Sequence, residues 1–271
     1  MEFARRYPLR GAQRDPRNIQ ERGHVPRTEC TVHVEAFIGQ LAVGAAGSAL
    51  IAALAYRQHA LTRCGAWAAV ACGTILYGAG GAAWAALVGA FFLTSSALTR
   101  LESGPTGQGG RSRDRSGRDW TQVVANGGVA TATAVGHAAV GSSVWLTACA
   151  GAIAVATADT WATEIGRFSR AAPRLITTWD RTVHGASGGI TGVGTAAACG
   201  GALLIASIGA AFALPPAARF AGAVAVAGFS GSIVDSLLGA TIEQRWRWIN
   251  NNAVNLVATA WGALVAAWLA R

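Results

Sequence analysis

Long apolar runs, separated by short Arg-bearing loops, dominate the chain after its first thirty-odd residues. A membrane span needs roughly 20 apolar residues. By that rule about eight segments emerge, at approximately 36–55, 66–79, 83–99, 120–139, 143–162, 189–212, 217–240 and 252–270. The second is short and reads either as a span or as a re-entrant segment. Charges are almost absent from the runs: between Asp119 and Arg167 only Asp159 and Glu164 occur, and between Thr182 and Gln244 only Arg219, Asp235 and Glu243. The pattern predicts an all-α fold, a polytopic transmembrane helix bundle of about seven to eight spans. One transmembrane domain covers residues 34–271, and a disordered, Arg-rich tail covers 1–33. No internal repeat is evident, although glycine-rich helix ends recur.

Composition agrees. Hydrophobic residues make up 52% of the 271 and charged residues 13%, against about 25% charged in soluble domains. Glycine contributes 35 residues, as expected where helices approach closely in lipid. All 22 basic residues are Arg. Without Lys there is no Schiff-base chemistry and no P-loop Gly-Lys-Ser/Thr signature; a phosphate must be met by Arg, backbone amides or metal. The five cysteines form no Cys-x-x-Cys pair, which excludes zinc ribbons and secretory scaffolds and leaves them as small apolar fillers. The tail holds seven Arg and four acids with no apolar h-region, so it is no signal peptide, and it suits a start codon set too far upstream.

The Arg distribution predicts orientation. Loops 56–65, 100–119, 166–188 and 241–251 hold 2, 5, 4 and 2 Arg, whereas the opposite loops and the C-terminus hold only Arg219 and Arg271. With eight spans the four rich loops share one side, the cytoplasmic one by the positive-inside rule. This favours a bacterial inner membrane with the site facing the cytoplasm, and argues against a nucleic-acid partner. The seven Arg of the tail conflict with that orientation.

Ionisable groups inside spans are costly and mark functional sites. Three carboxylates qualify: Asp159 and Glu164 in Ala158-Asp159-Thr160-Trp161-Ala162-Thr163-Glu164-Ile165-Gly166, and Asp235 in Gly231-Ser232-Ile233-Val234-Asp235-Ser236-Leu237-Leu238-Gly239-Ala240. Asp159 and Thr163 share a helix face, and Thr160 and Glu164 the adjacent one. Such hard oxygen ligands suit Mg²⁺, which uses one or two carboxylates plus substrate phosphates and water. The bland alternative is pairing with nearby Arg; Arg167 lies three residues after Glu164.

Three further constellations stand at span ends. In Gly117-Arg118-Asp119-Trp120-Thr121-Gln122-Val123-Val124-Ala125-Asn126, the residues Asp119, Gln122 and Asn126 fall on one helix stripe, which would face the bundle interior, and Trp120 reads as an interfacial anchor. The loop before it, Gly104 to Gly117, looks mobile. Arg174 and Arg181 precede His184-Gly185-Ala186-Ser187-Gly188-Gly189, where glycines leading into a helix would bring amides to an anion; His184 reads equally as a phosphate donor or a solvated loop residue. Asn251 and Asn255, in Asn250-Asn251-Asn252-Ala253-Val254-Asn255, open the last span with more amides than a helix cap needs.

In this order the four motifs resemble an integral-membrane family of unknown function, the relatives of transmembrane protein 19. The Gly-Arg-Asp-Trp-x-Gln-Val-x-x-Asn-Gly, Ala-Asp-Thr-x-Ala-x-Glu-x-Gly, His184 to Gly194 and Asp235-Ser236-Leu237-Leu238-Gly239-Ala240-Thr241 runs all match, over about residues 40–270. Characterised plant and cyanobacterial members are phytyl-phosphate kinases, with a more distant likeness to CTP-dependent polyprenol and dolichol kinases. The resemblance implies an isoprenyl phosphate or alcohol acceptor, a nucleoside triphosphate (CTP or ATP) as donor, and Mg²⁺. The chain departs at Asn250-Asn251-Asn252-Ala253-Val254-Asn255, where such proteins tend to carry Asp-Asn-Asp-x-x-Asn. That leaves Asp159, Glu164 and Asp235 as implied metal ligands. Asp119 or Asp159 would act as base on an alcohol, and Arg118, Arg174, Arg181 and the Gly185–Gly189 amides would hold phosphates. An ion-coupled transporter or lipid flippase using the same carboxylates is the alternative.

Overall fold

The structure, a computed structural model, describes residues 27–102, 117–213, 217–246 and 248–271, with side chains from Glu35 onward. Residues 1–26 of the expected disordered tail and most of the expected mobile loop lie outside the described residues. Residues 38–271 form one compact unit.

Among the described residues eight α-helices follow the eight apolar runs: α1 (Arg27–Arg57), α2 (Arg63–Gly80), α3 (Ala82–Glu102), α4 (Trp120–Val140), α5 (Val144–Gly166), α6 (Gly192–Phe212), α7 (Ala217–Leu238) and α8 (Asn251–Leu269). All but α2 are long and apolar enough to cross a membrane. At 1.5 Å per residue the 18 residues of α2 reach about 27 Å, just short of the roughly 30 Å hydrocarbon core. Helix α1 begins at Arg27, inside the stretch expected to be tail.

Two departures concern the ends of helices. Helix α6 starts at Gly192 rather than 189, because Arg174–Leu175 (β1) pairs antiparallel with Gly189–Ile190 (β2) and Thr191 caps the helix through Gly194 N. Helix α7 does not stop at Leu238 but widens into a π-helical turn, Gly239–Glu243.

Helix α5 is the centre of the bundle. Fourteen of its 23 residues are buried, mostly Ala, Gly, Val and Thr, and it packs on α3, α4, α6, α7 and α8. Small side chains permit this, since backbones in lipid gain from close approach. A Cβ on Gly262 of α8 would lie 2.7 Å from the Gly151 carbonyl oxygen of α5, and one on Gly228 of α7 would lie 2.7 Å from Ala154 Cβ. The span of α1, by contrast, is 11% buried, and Ile38, Val43, Leu50, Ile51 and Leu54 are exposed along it, as befits a lipid-facing helix.

The four Arg-bearing connections meet at one end. Leu61 of the α1–α2 loop bridges to Arg118 before α4, and Thr62 N donates to Arg118 O at 3.0 Å. Arg100 at the end of α3 bonds Gln58. Gln244 beyond α7 donates to Ser187 O of the α5–α6 loop at 3.3 Å, and Asn252 at the start of α8 donates to Thr121 Oγ1 at the start of α4 at 2.7 Å.

Candidate functional site at the loop end of the bundle

Val155 of α5 contacts both Gly231 of α7 and Gly262 of α8. One helical turn onward from Val155 stands Asp159, and one turn onward from Gly231 stands Asp235. Helix α8 runs the opposite way, so Asn255, two turns before Gly262 and on the same face, reaches the same depth: all three lie roughly 10 Å toward the loop end from the Gly151–Gly262 contact, by the rise per residue. The carboxyls of Asp159 and Asp235 are within hydrogen-bonding reach of each other, and Glu243 is near enough to add its negative charge. Asp235 and Asn255 are 8% and 9% exposed, yet Asp235 Oδ2 and Asn255 Oδ1 accept no hydrogen bond. Two buried acceptors without donors are costly in protein or lipid. Ser236, next to Asp235, is half-buried.

Glu164 does not join this pair. Five residues from Asp159 on a helix means about 140° of rotation, which turns Glu164 toward α3. There Thr99 donates to Glu164 Oε1 at 3.2 Å, and Arg167 lies 3.7 Å from Oε2, the pairing its sequence position allowed. Arg167 also reaches the loop at Gly185. Among the described residues no group of three or more His, Cys, Asp or Glu side chains is placed to hold a metal, so the three-carboxylate set expected from the sequence reduces to Asp159 with Asp235. Thr160 turns back onto its own helix, donating to Ala156 O at 2.8 Å; Thr163 is half-buried.

At the start of α4, Asp119 is a helix cap. Its Oδ1 accepts from Gln122 N at 2.9 Å and from Thr121 Oγ1 at 2.7 Å. The Thr121 hydroxyl, then the Gln122 amide, hold its pKa below the ordinary value of 3.8. Because Asn252 donates to Thr121, a chain of hydrogen bonds runs from α8 through Thr121 to Asp119. Asn126 donates to Gln122 O at 3.0 Å, and both residues are half-buried. Arg118 works through its backbone, with N to Ala60 O and O to Thr62 N, while its guanidinium stands 5.6 Å over the Phe91 ring, a cation–π contact. Trp120 is exposed at the helix start, as an interfacial anchor should be. Asn250 caps α8 through Ala253 N, and Asn251 is exposed.

The α5–α6 loop is built as a small hairpin. Arg174 donates to Trp179 O at 2.7 Å, and Trp179 adopts φ +62. Within the glycine run, the amides of Ala186 and Gly189 already donate to Val183 O and Ala186 O. Gly188, at φ +77, sits where a Cβ would lie 2.7 Å from Ala240 Cα of the π-helical turn; glycine is required there both for the backbone angle and for the approach. Arg174, Arg181, His184 and Gly185 are exposed, and Ser187 is half-buried. Beside this hairpin a groove of about 580 Å³ runs along α6, lined by Ile190, Ala196, Cys199 and Phe229, with Arg174 and Trp179 at its rim.

Sequence reasoning missed Thr99, Thr121 and Asn252 as partners in these networks. They carry no signal of their own, since a Thr or Asn at a helix end reads as a cap.

A bundle of apolar helices with buried carboxylates at one end defines a polytopic integral membrane protein with a polar site at the membrane boundary. Residues 46–263 match the family model of the integral membrane protein DUF92, and the chain belongs to that family. It is 33% identical to Protein PGR of Arabidopsis thaliana over 223 residues, covering 72% of this chain and 76% of that protein. With an uncharacterized membrane protein of Methanocaldococcus jannaschii it shares 33% identity over 175 residues, 65% of this chain and 71% of the relative. Protein VTE6, chloroplastic, of Arabidopsis thaliana is 26% identical over 217 residues, 76% of this chain and 64% of that protein. No solved structure matches the chain.

Proposed function

We propose that this protein is a membrane-embedded kinase transferring a phosphoryl group from CTP or ATP to an isoprenyl monophosphate such as phytyl phosphate, or to an isoprenyl alcohol. The observation that carries this reading is the buried contact of Asp159 with Asp235, with the unsatisfied Asn255 oxygen at the same depth. The family membership and the motif resemblance to phytyl-phosphate kinases support it. The donor set fits Mg²⁺, whose charge, when bound there, would neutralise nucleotide phosphates.

The chain's own residues supply position and environment. An isoprenyl tail suits the groove along α6, and the exposed Arg174 at its rim suits a phosphate. Phe229 of the groove packs on the Ala158–Ala198–Ala202 cluster, which sets the groove against α5. Arg181 and His184 on the same hairpin face solvent, where a nucleotide arrives. An acceptor phosphate oxygen attacks the γ-phosphorus, the bridging bond to the β-phosphate breaks, and the products are a nucleoside diphosphate and an isoprenyl diphosphate. No strong base is needed, because the acceptor is already an anion. With an alcohol, the hydroxyl proton passes to Asp159; Asp119, held ionised by its cap hydrogen bonds, is too weak a base for that task.

The Arg-rich end faces the cytoplasm of a bacterial inner membrane, in this reading, where nucleotide is available. Thr178→Cys in a background free of native cysteines should be labelled only when the cytoplasmic face is opened; labelling from outside intact cells reverses the orientation. The activity is tested with purified protein in detergent, Mg²⁺, γ-labelled CTP or ATP, and a panel of prenyl monophosphates and alcohols. Labelled prenyl diphosphate, or monophosphate from the alcohols, is the expected product. Absence of any phosphorylated lipid, together with gradient-driven solute movement in proteoliposomes, would establish the transporter instead.

A further inference from the structure

We propose that Asp159, Asp235 and Asn255 form a divalent-cation site in which the Asn255 side-chain carbonyl is the third protein ligand and Glu164 takes no part. This deepens the kinase reading by assigning the ligands, and rests on it only for the identity of the physiological ion.

Three observations converge. Asp235 Oδ2 and Asn255 Oδ1 are buried oxygens, on side chains more than nine-tenths buried, that accept no hydrogen bond. They come from different helices, and the helix bookkeeping from Gly151, Val155, Gly231 and Gly262 sets both beside Asp159 at one depth. Every donor is a hard oxygen, and there is no sulfur or imidazole in the set, which selects Mg²⁺- or Mn²⁺-like ions over softer metals. Charge adds a reason for a divalent ion over a monovalent one: two adjacent carboxylates within the spans, when both are ionised by a bound cation, are matched by a double positive charge. Glu164 is excluded by its rotation to the far side of α5 and by its engagement with Thr99 and Arg167. An amide at position 255 contributes an oxygen without adding a negative charge among the ligands.

Mn²⁺ binding to the full-length protein in detergent tests this, with free Mn²⁺ followed by electron paramagnetic resonance in the absence of nucleotide and lipid. One Mn²⁺ displaced by Mg²⁺ is expected for the wild type. Asn255→Ala and Asp235→Asn should each weaken binding about tenfold or more, Asn255→Asp should tighten it, and Glu164→Gln should leave it unchanged. Tightening by Asn255→Asp is a gain that misfolding cannot imitate. No Mn²⁺ bound by wild type, stabilisation by Na⁺ alone, unaltered binding in Asn255→Ala, or loss in Glu164→Gln would each overturn the assignment. Because no substrate is present, Mn²⁺ binding without phosphoryl transfer would leave the site standing and remove the kinase, and phosphoryl transfer with Asn255→Ala binding Mn²⁺ normally would do the reverse.

Discussion

Helix α5 carries two carboxylates within five residues, and their surroundings are opposite. Asp159 faces α7 and α8, where it meets another carboxyl and acceptors lacking donors. Glu164 faces α3 and the hairpin loop, where a hydroxyl and a guanidinium answer it. The first arrangement gathers acceptors and negative charge without a cation and calls for a ligand; the second has a cation from the protein, Arg167, 3.7 Å from the carboxylate. Proximity in sequence therefore says little about shared purpose in a buried helix, where 100° per residue hands successive side chains to different neighbours.

The sharpest break of this contrast is neutralising the Asp159 side. Asp159→Asn or Asp235→Asn, nearly isosteric, should cut phosphoryl transfer by about 100-fold or more, a magnitude usual for removing charge from a preorganised site, while the protein still elutes as a folded species. Equal losses from Glu164→Gln would erase the distinction. Glu164→Gln should instead show itself in stability: losing a charged, mostly buried hydrogen-bonded partner costs about 1.5–3 kcal/mol, read as a lowered unfolding midpoint in detergent, with activity reduced far less than in the aspartate variants. Gly188→Val strains a positive φ and collides with Ala240, at a cost of about 1–3 kcal/mol. It should loosen the hairpin and raise its proteolysis, leaving Mn²⁺ binding intact. The smallest effect belongs to Asp119→Ala, where loss of the cap costs about 1 kcal/mol. Since its folded pKa is lowered, this contribution is present at neutral pH and disappears as pH falls from about 4 through the lowered value. Wild type and variant should therefore converge in stability at strongly acid pH.

The eight helices were legible because apolar length is a strong signal, and ends at Val140, Gly166 and Leu269 fall within a few residues of those expected. The β1–β2 pairing was not, since two-residue strands bearing Arg174 and Gly189 have no periodicity to read. Within the site, Asp159, Asp235 and Asn255 could be singled out one by one as polar residues in apolar runs, but their meeting depends on the Gly151–Gly262 and Val155–Gly231 contacts, which no local pattern encodes. The separation of Glu164 was available from helical geometry alone. The packing role of Gly188 was not legible, because a glycine that permits backbone contact with Ala240 and one that approaches an anion look identical in sequence.

The central position of α5 also bears on how the protein is made. It is the fifth helix to emerge, and the surfaces that bury Gly151 and Asp159 belong to α7 and α8, which end 72 and 103 residues after α5 does. A carboxylate released into lipid alone costs about 2.5–3.5 kcal/mol at mid-helix, and Asp159 gains Asp235 and Asn255 as neighbours only once the last two helices arrive. Nascent chains halted after α6 should stay associated with the insertion machinery, whereas chains halted after α8 should leave it: membrane integration here is a late, collective event rather than a helix-by-helix one.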